Sequence, residues 1–147
     1  MQLKTRTTDG GKASSGIEDY NDCTIKALAT SAGIPYEEAH KMGTESGRKH
    51  GRGHHPRLLL PYARKKYGIT YRKTRHKSIT IQKFIKLHPT GHYYVATNKH
   101  AFAIINGTIC ESYPTLNRPL QRLEEAYLML NPKLTSSADV YKNRHSF

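Results

Sequence analysis

An α+β fold is predicted from three observations: apolar residues recur at helical spacing in the first half, β-type runs follow from Tyr93, and Asn106-Gly107 separates two of them. Asn-Gly between apolar runs is the strongest short hairpin signal, because a type I′ turn needs positive φ at both positions. At 147 residues the chain holds one core comfortably. One domain is therefore expected over 17–130, between a flexible arm at 1–16 and a polar tail at 131–147.

The arm is rich in Thr, Gly, Ser and Lys and has no hydrophobic period. From Cys23, the residues Ile25, Leu28, Ala29 and Ala32 line one helical face, with Asn21 or Asp22 as the N-cap and Gly33 as the stop. Pro35 opens a second helix with Glu37 and Glu38 in its first turn, where carboxylates suit the helix dipole. It fades across 43–47. The segment 47–56 carries too much glycine and charge for a regular element and reads as an exposed loop. A third helix starts at Pro56 or nearer Pro61 and closes at Gly68. A short strand over 69–72 precedes a helix capped by Thr80, with Ile81, Phe84, Ile85 and His88 on one face and Pro89 at its end. Strands are expected over 93–97, 101–105 and 108–113. Leu123, Ala126, Tyr127 and Leu130 then suggest a last amphipathic helix.

No apolar run approaches the roughly 20 residues that cross a bilayer, and the first residues lack the apolar segment of a signal peptide. An intracellular setting without membrane contact is expected, and the two cysteines should be thiols there. The net charge of +13 is regional. Between Lys41 and Lys77 stand 12 Lys or Arg against one acid, Glu45, so this stretch alone carries +11. Such a surface either keeps the protein soluble or attracts an acidic partner, whether an acidic peptide substrate or nucleic acid. Arg48, Lys49, Arg52, Arg64, Lys65, Lys66, Arg72, Lys73 and Arg75 are the candidate contacts. Tyr62, Tyr67 and Tyr71, interleaved with them, could stack on bases or form the core face of a helix. His50, His54 and His55 lie close together, but no paired carboxylate or cysteine pair accompanies them, so a His-bearing loop is expected and no metal or cofactor.

The chemistry-bearing pair is Cys23 and His100. A thiol becomes a useful nucleophile as thiolate, and both a helix N-terminus and a neighbouring imidazolium favour that form. The same helix start offers backbone N–H groups to a developing oxyanion. The histidine needs an acceptor on its far nitrogen. If Asn106-Gly107 is a two-residue turn, Ile105 faces Thr108, Phe102 faces Glu111 and His100 faces Tyr113, which puts His100, Phe102, Ile104, Ile109, Glu111 and Tyr113 on one face. Glu111 is then a diagonal neighbour of His100, and Cys110 points the other way as a packed thiol. Asn117 is the alternative orienter. The bland reading of Cys23 is a small buried hydrophobe, and of Glu111 an exposed carboxylate beside lysine.

Asn21-Asp22-Cys23 before an Ala/Leu-rich helix, the loop 47–53, and His100-Ala101-Phe102-Ala103-Ile104-Ile105-Asn106-Gly107 resemble the papain-like superfamily. More narrowly they resemble small papain-like proteins of bacteriophages and bacteria. The resemblance implies N-terminal helices packed on a small antiparallel sheet, Cys23 as nucleophile, His100 as base and Glu111 as orienter. It also implies a cysteine peptidase or amidase in the cytoplasm of the producing or infected cell, or associated with a virion. Papain-like peptidases usually carry a Gln upstream of the Cys as oxyanion donor, but here none stands between Gln2 and Gln82, so Asn21 or Tyr20 would have to substitute. Glu at 111 is longer than the usual Asn or Asp. Two rivals remain open: a nucleic-acid-binding, phage structural or host-takeover protein on an inactive scaffold, and a cell-wall amidase of the NlpC type. The latter also places Asp before Cys but usually orients its first His with a second, and no His follows His100 until His145.

Overall fold

The computed structural model describes residues 3–133, so most of the polar tail expected over 131–147 lies outside the described residues. The protein is α+β. Its elements run β1 (Lys4–Thr7), α1 (Lys12–Ser15), α2 (Cys23–Ala32), α3 (Tyr36–Glu45), α4 (Pro56–Tyr67), β2 (Tyr71–Lys73), α5 (Ile81–Leu87), β3 (His92–Thr97), β4 (His100–Ile105), β5 (Thr108–Glu111) and β6 (Leu123–Met129), with a 3-10 turn at Arg118–Leu120 before β6. The six strands form one sheet in the order β1-β5-β4-β3-β6-β2. Every neighbouring pair is antiparallel except β1 with β5.

The central helix α2 is buried on nearly every side, from Thr24 and Ile25 through Leu28 to Ala32, because the sheet lies under one side of it and α3 over another. Small residues at Ala27, Ala29, Ser31 and Ala32 allow that close approach. Its core continues through Ile34, Tyr36 and Met42 to Leu59, Leu60 and Ala63 of α4, and onto Tyr94, Tyr127 and Met129 of the sheet. A second cluster joins Ile81, Phe84 and Ile85 of α5 to Tyr93, Val95, Phe102, Ile104, Ile109 and Leu123. Alternation along β3 and β4 divides the sheet between the two. Each of the larger fully buried side chains contributes about 1.5–3 kcal/mol through removal from water.

The hairpin register is the one the Asn-Gly turn dictates: Ile105 pairs with Thr108, Ile104 with Ile109 and Ala103 with Cys110. Asn106 and Gly107 have φ of 48° and 78°. Of the two starts open to α4, Pro56 is the one used, and His55 Nδ1 accepts from the Arg57 N–H at 3.0 Å as its cap. Pro61 lies inside the helix and leaves the Arg57 carbonyl without an amide donor. Thr80 caps α5 by accepting from the Lys83 N–H at 3.2 Å.

Two expectations are corrected. The segment 1–16, read as a flexible arm, contains an ordered stretch: Lys4–Thr7 run parallel to β5, and Asp9 accepts from the Gly11 and Ala13 N–H groups at the start of α1. An edge strand held by backbone pairing needs no apolar period, so none was there to read. The region of Leu123, Ala126 and Tyr127, expected as a helix, is strand β6. There, Leu123 pairs with Thr97 and Glu125 with Ala96, so Glu124 is an extra residue, a bulge. The bulge puts Leu123, Ala126 and Tyr127 in buried positions at i, i+3 and i+4, a spacing that imitates a helix.

Candidate active site

Cys23 is the first residue of α2 and His100 the first of β4. Asp22 takes the N-cap position, yet its side chain does not cap. It turns inward to accept the Tyr36 hydroxyl at 2.6 Å, with Lys12 at 3.2 Å and Lys26 at 3.6 Å neutralising it. The first-turn N–H groups of Cys23 and Thr24 therefore have no intrahelical acceptor and remain available to negative charge. Below the turn, the buried Tyr94 hydroxyl donates to the Thr24 carbonyl at 3.3 Å and fixes the helix start on the sheet.

His100 follows a two-residue connection, Asn98-Lys99, that joins β3 to β4. Its ring stacks on Phe102, with centroids 5.5 Å apart. Nε2 donates to Glu111 Oε1 at 2.8 Å, which leaves Nδ1 to face the thiol. Burial by itself pushes the Cys23 thiol up. Hydrogen bonds from His100 and the Ala101 N–H, and the charge on His100, outweigh it and bring the group below the ordinary thiol range, against a small opposing push from Asp22. For His100 burial favours the neutral ring, but hydrogen bonding to Cys23 and Glu111 prevails and raises it. Both effects favour the same charge-separated pair, thiolate and imidazolium.

Glu111 is buried and held by a residue with no sequence signal. Arg118, in the 3-10 turn, donates through Nε to both carboxylate oxygens at 3.1 and 2.9 Å and through Nη1 to Gln121 at 2.7 Å. Its guanidinium also lies 5.6 Å from the Phe102 ring centre. Burial pushes Glu111 up, and the bonds from His100 and Arg118 more than reverse it, so the carboxylate stays ionised. Glu111→Gln should keep the geometry but remove the charge that favours the imidazolium. The expected result is an alkylation of Cys23 at pH 6 slowed about 10-fold, which corresponds to about 1.4 kcal/mol of lost preference for the charged pair. An unchanged rate would take Glu111 out of the site.

Asn117, the alternative orienter, is exposed and accepts from the Thr115 hydroxyl at 2.9 Å; it does not meet His100. The two expected oxyanion donors are engaged elsewhere. Asn21, with φ of 53°, donates its side-chain N–H to the Gly51 carbonyl at 2.9 Å. Tyr20 is 62% exposed and its ring lies across Gly51, where a Cβ would come within 2.6 Å of it. Cys110 is buried beside Ala103 and Ile105, 2% exposed.

The basic stretch divides by use. Arg48 is buried, not a surface contact: it donates to Asp19 Oδ2 at 2.7 Å and to the Tyr20 carbonyl at 3.0 Å. Asp19 Oδ2 also takes His40 at 2.8 Å, while Oδ1 accepts the Gly51 and Tyr20 N–H groups at 2.7 Å. Burial would raise the Asp19 carboxyl, but these donors hold it far below the usual carboxylate range. Within the segment 47–56, read as an exposed loop, residues 47, 49, 50, 52 and 53 are exposed, but Arg48 and Gly51 are buried: Asp19 ties them to the residues just before Cys23, and Gly51 (φ 73°) lies under Tyr20 where no side chain fits. Arg64 lies 3.7 Å from the Tyr71 ring centre and donates to the Tyr71 carbonyl at 2.5 Å. Lys73 pairs with Glu125 at 3.3 Å. Lys49, Arg52, Lys65, Lys66, Arg72 and Arg75 remain exposed. Tyr62 and Tyr67 both donate to Glu45, at 2.8 and 2.5 Å, and Tyr71 is buried, so all three are committed within the fold.

His54 bonds Ser46, His50 meets the Glu18 carbonyl and His55 caps α4. Among the described residues no group of three or more His, Cys, Asp or Glu could hold a metal. None of the described helices is long and apolar enough to cross a membrane.

Two hollows meet at the thiol. One, of about 930 Å³, lies between Pro56 at the start of α4, the segment 73–77 and the β6 bulge. The other, of about 280 Å³, is lined by Asn21, Lys26, Phe102, Ser112 and Tyr113. Cys23, Lys99, His100 and Ala101 line both, so a chain laid across the thiol would pass from one to the other. Compared with protein-family models, with curated proteins and with solved structures, the sequence and its fold match none.

Proposed function

We propose that the chain is a thiol hydrolase of cysteine peptidase or amidase type, built on a papain-like arrangement. The carrying observation is the series Cys23, His100, Glu111 and Arg118, in which the hydrogen bonds between neighbours outweigh burial and the opposing charges of Asp22 and Arg118 and favour a thiolate and an imidazolium. Cys23 Sγ attacks an amide carbonyl carbon, and the carbonyl oxygen takes up negative charge beside the Cys23 and Thr24 N–H groups. The C–N bond then breaks as His100 gives its proton to the leaving amine. Water, deprotonated by His100, attacks the acyl-thioester; the C–S bond breaks and the free acid departs. An amine in place of water would make the same site an acyl transferase.

The experiment is pre-steady-state hydrolysis of p-nitrophenyl acetate. A burst of nitrophenolate approaching one equivalent should precede slow turnover, and folded Cys23→Ser should lose both. A burst that survives in Cys23→Ser, or its absence in the wild type, would sink the proposal. A second reading is favoured by the exposed cations Lys49, Arg52, Lys65, Lys66 and Arg72: a basic nucleic-acid-binding protein, phage structural or host-takeover factor on an inactive scaffold. The burial of Tyr71 weakens it by removing one of the three candidate stacking rings. Salt-dependent DNA binding that persists in Cys23→Ser and His100→Ala, without a burst in the wild type, would favour that reading.

A further inference from the structure

The larger hollow beside Cys23 differs from the rest of the basic surface in what its charges are doing. Arg75, Lys77 and Lys99 line it, and among the described residues none of the three has an ion pair or a side-chain hydrogen bond. Arg57 stands at the same rim, its guanidinium touching only His55 at 3.4 Å. Of the two acids there, Glu125 is already taken by Lys73 and by the Tyr127 hydroxyl, at 3.3 and 2.6 Å, which leaves Glu124 as the free carboxylate. The uncompensated charge of the hollow is therefore positive, and it begins immediately beside the nucleophile.

Lys99 adds an independent observation. Its φ is 63°, the left-handed region that favours glycine, at the second position of the tight turn leading into His100. A lysine there carries backbone strain that glycine would relieve. The strained residue is a cation that lines both hollows.

Resting on the thiol-hydrolase reading, we propose that the substrate is a polypeptide whose segment on the large-hollow side of the scissile bond is rich in Asp or Glu, bound by Arg57, Arg75, Lys77 and Lys99. A peptide is favoured over a nucleic acid on two grounds. No Phe, Tyr or Trp among the described residues lines the hollow, so bases would have only the smaller imidazole rings of His54, His55, His76 and His100 to stack on. The free Glu124 also sits within it, where a phosphodiester chain carrying charge at every step would meet it and a peptide of spaced charges need not. The volume of about 930 Å³ suits a short extended segment. The smaller hollow, where Lys26 is already bonded to Ser112 and Asp22, offers less free charge for the other side of the bond.

The test measures fluorescence anisotropy on full-length Cys23→Ser, with fluorescein-tagged peptides of alternating Glu and Ala and of alternating Lys and Ala, and with tagged oligothymidylate. In parallel, iodoacetamide labelling of wild-type Cys23 reports on the nucleophile itself. The acidic peptide should bind at least 10-fold tighter than the basic one, weaken with salt, and lose about 10-fold in affinity in Arg75→Glu/Lys77→Glu, two rim charges at about 0.7 kcal/mol each. Lys99→Gly should also weaken it while leaving the protein at least as stable. If circular dichroism shows the double variant misfolded, Arg75→Ala and Lys77→Ala singly serve the same comparison. Acidic and basic peptides binding alike, or acidic binding untouched by the substitutions, would overturn the substrate class while fast labelling of Cys23 left the hydrolase reading standing. Oligothymidylate binding tighter than the acidic peptide, and lost in the same variants, would overturn it in favour of nucleic acid. Slow labelling of Cys23 would strike at the hydrolase reading, independently of what the hollow binds.

Discussion

His100→Ala should slow iodoacetamide alkylation of Cys23 at pH 6 by about 100-fold, because it removes the hydrogen bond and the positive charge that hold the thiol below its ordinary range. What remains is burial, which favours the protonated thiol, and the partial charge at the start of α2. The sign can be checked along the pH axis. In the wild type Cys23 is shifted down and His100 up, so reactivity should already be high on the acid side of neutrality and vary little through it, falling only as the thiolate itself is protonated. In His100→Ala reactivity should instead climb steadily toward alkaline pH. Cys110, buried beside Ala103 and Ile105, should label slowly in both and serves as the internal control. Equal rates for Cys23 in the two proteins would remove His100 from the chemistry.

Arg48→Ala should lower the stability of the protein by about 3 kcal/mol, the low end of the cost of breaking a buried ion pair, measured by urea denaturation. The side chains of Arg48 and Asp19 are 1% and 0% exposed. Deleting the guanidinium leaves the carboxylate with His40 and two backbone N–H groups, and frees the Tyr20 carbonyl. Asp19 is held well below its unfolded value of about 3.9, so the stability it contributes is present above that pH and is lost as pH falls through and below it. The gap between wild type and Arg48→Ala should therefore be widest near neutrality and narrow below about pH 4. A gap that stays constant down to acid pH would show that Arg48 stabilises by packing instead. Because Arg48 grips the residues that lead into Cys23, the variant should also show heterogeneous labelling of the thiol.

The strength of local signals decides how much of this molecule is legible in its sequence. The Asn106-Gly107 turn sets a register by backbone geometry alone, and the shared face of His100 and Glu111 follows from it. The start of α2 at Cys23 is likewise local, written in the helical spacing of Ile25, Leu28, Ala29 and Ala32. Arg118 was not legible, because its partner lies across an irregular connection whose path no periodicity constrains. Arg48 looked like one surface cation among twelve, and only the position of Asp19 inside the fold distinguishes it. Asp22 was one of two expected caps for α2, but a buried Tyr36 hydroxyl competes for the same carboxylate. In β6 one extra residue at Glu124 turned a two-residue period into a helical one, so the signal that was legible pointed to the wrong element.

The parallel pairing of β1 with β5 orders the last events of folding. Thr7 lies beside Glu111, the Thr8 N–H donates to the Glu111 carbonyl at 3.0 Å, and the Ser112 hydroxyl donates to the Thr8 carbonyl at 2.9 Å. These contacts join residues separated by most of the chain, among the widest closures in the molecule. Such closures carry a large loop-entropy cost and are expected late in folding. The β3-β4-β5 meander and α2 can assemble while β1 is still searching, and Glu111 is then fixed only from one side. A chain whose core packs before β1 docks therefore has the Glu111 backbone unpaired on its β1 side.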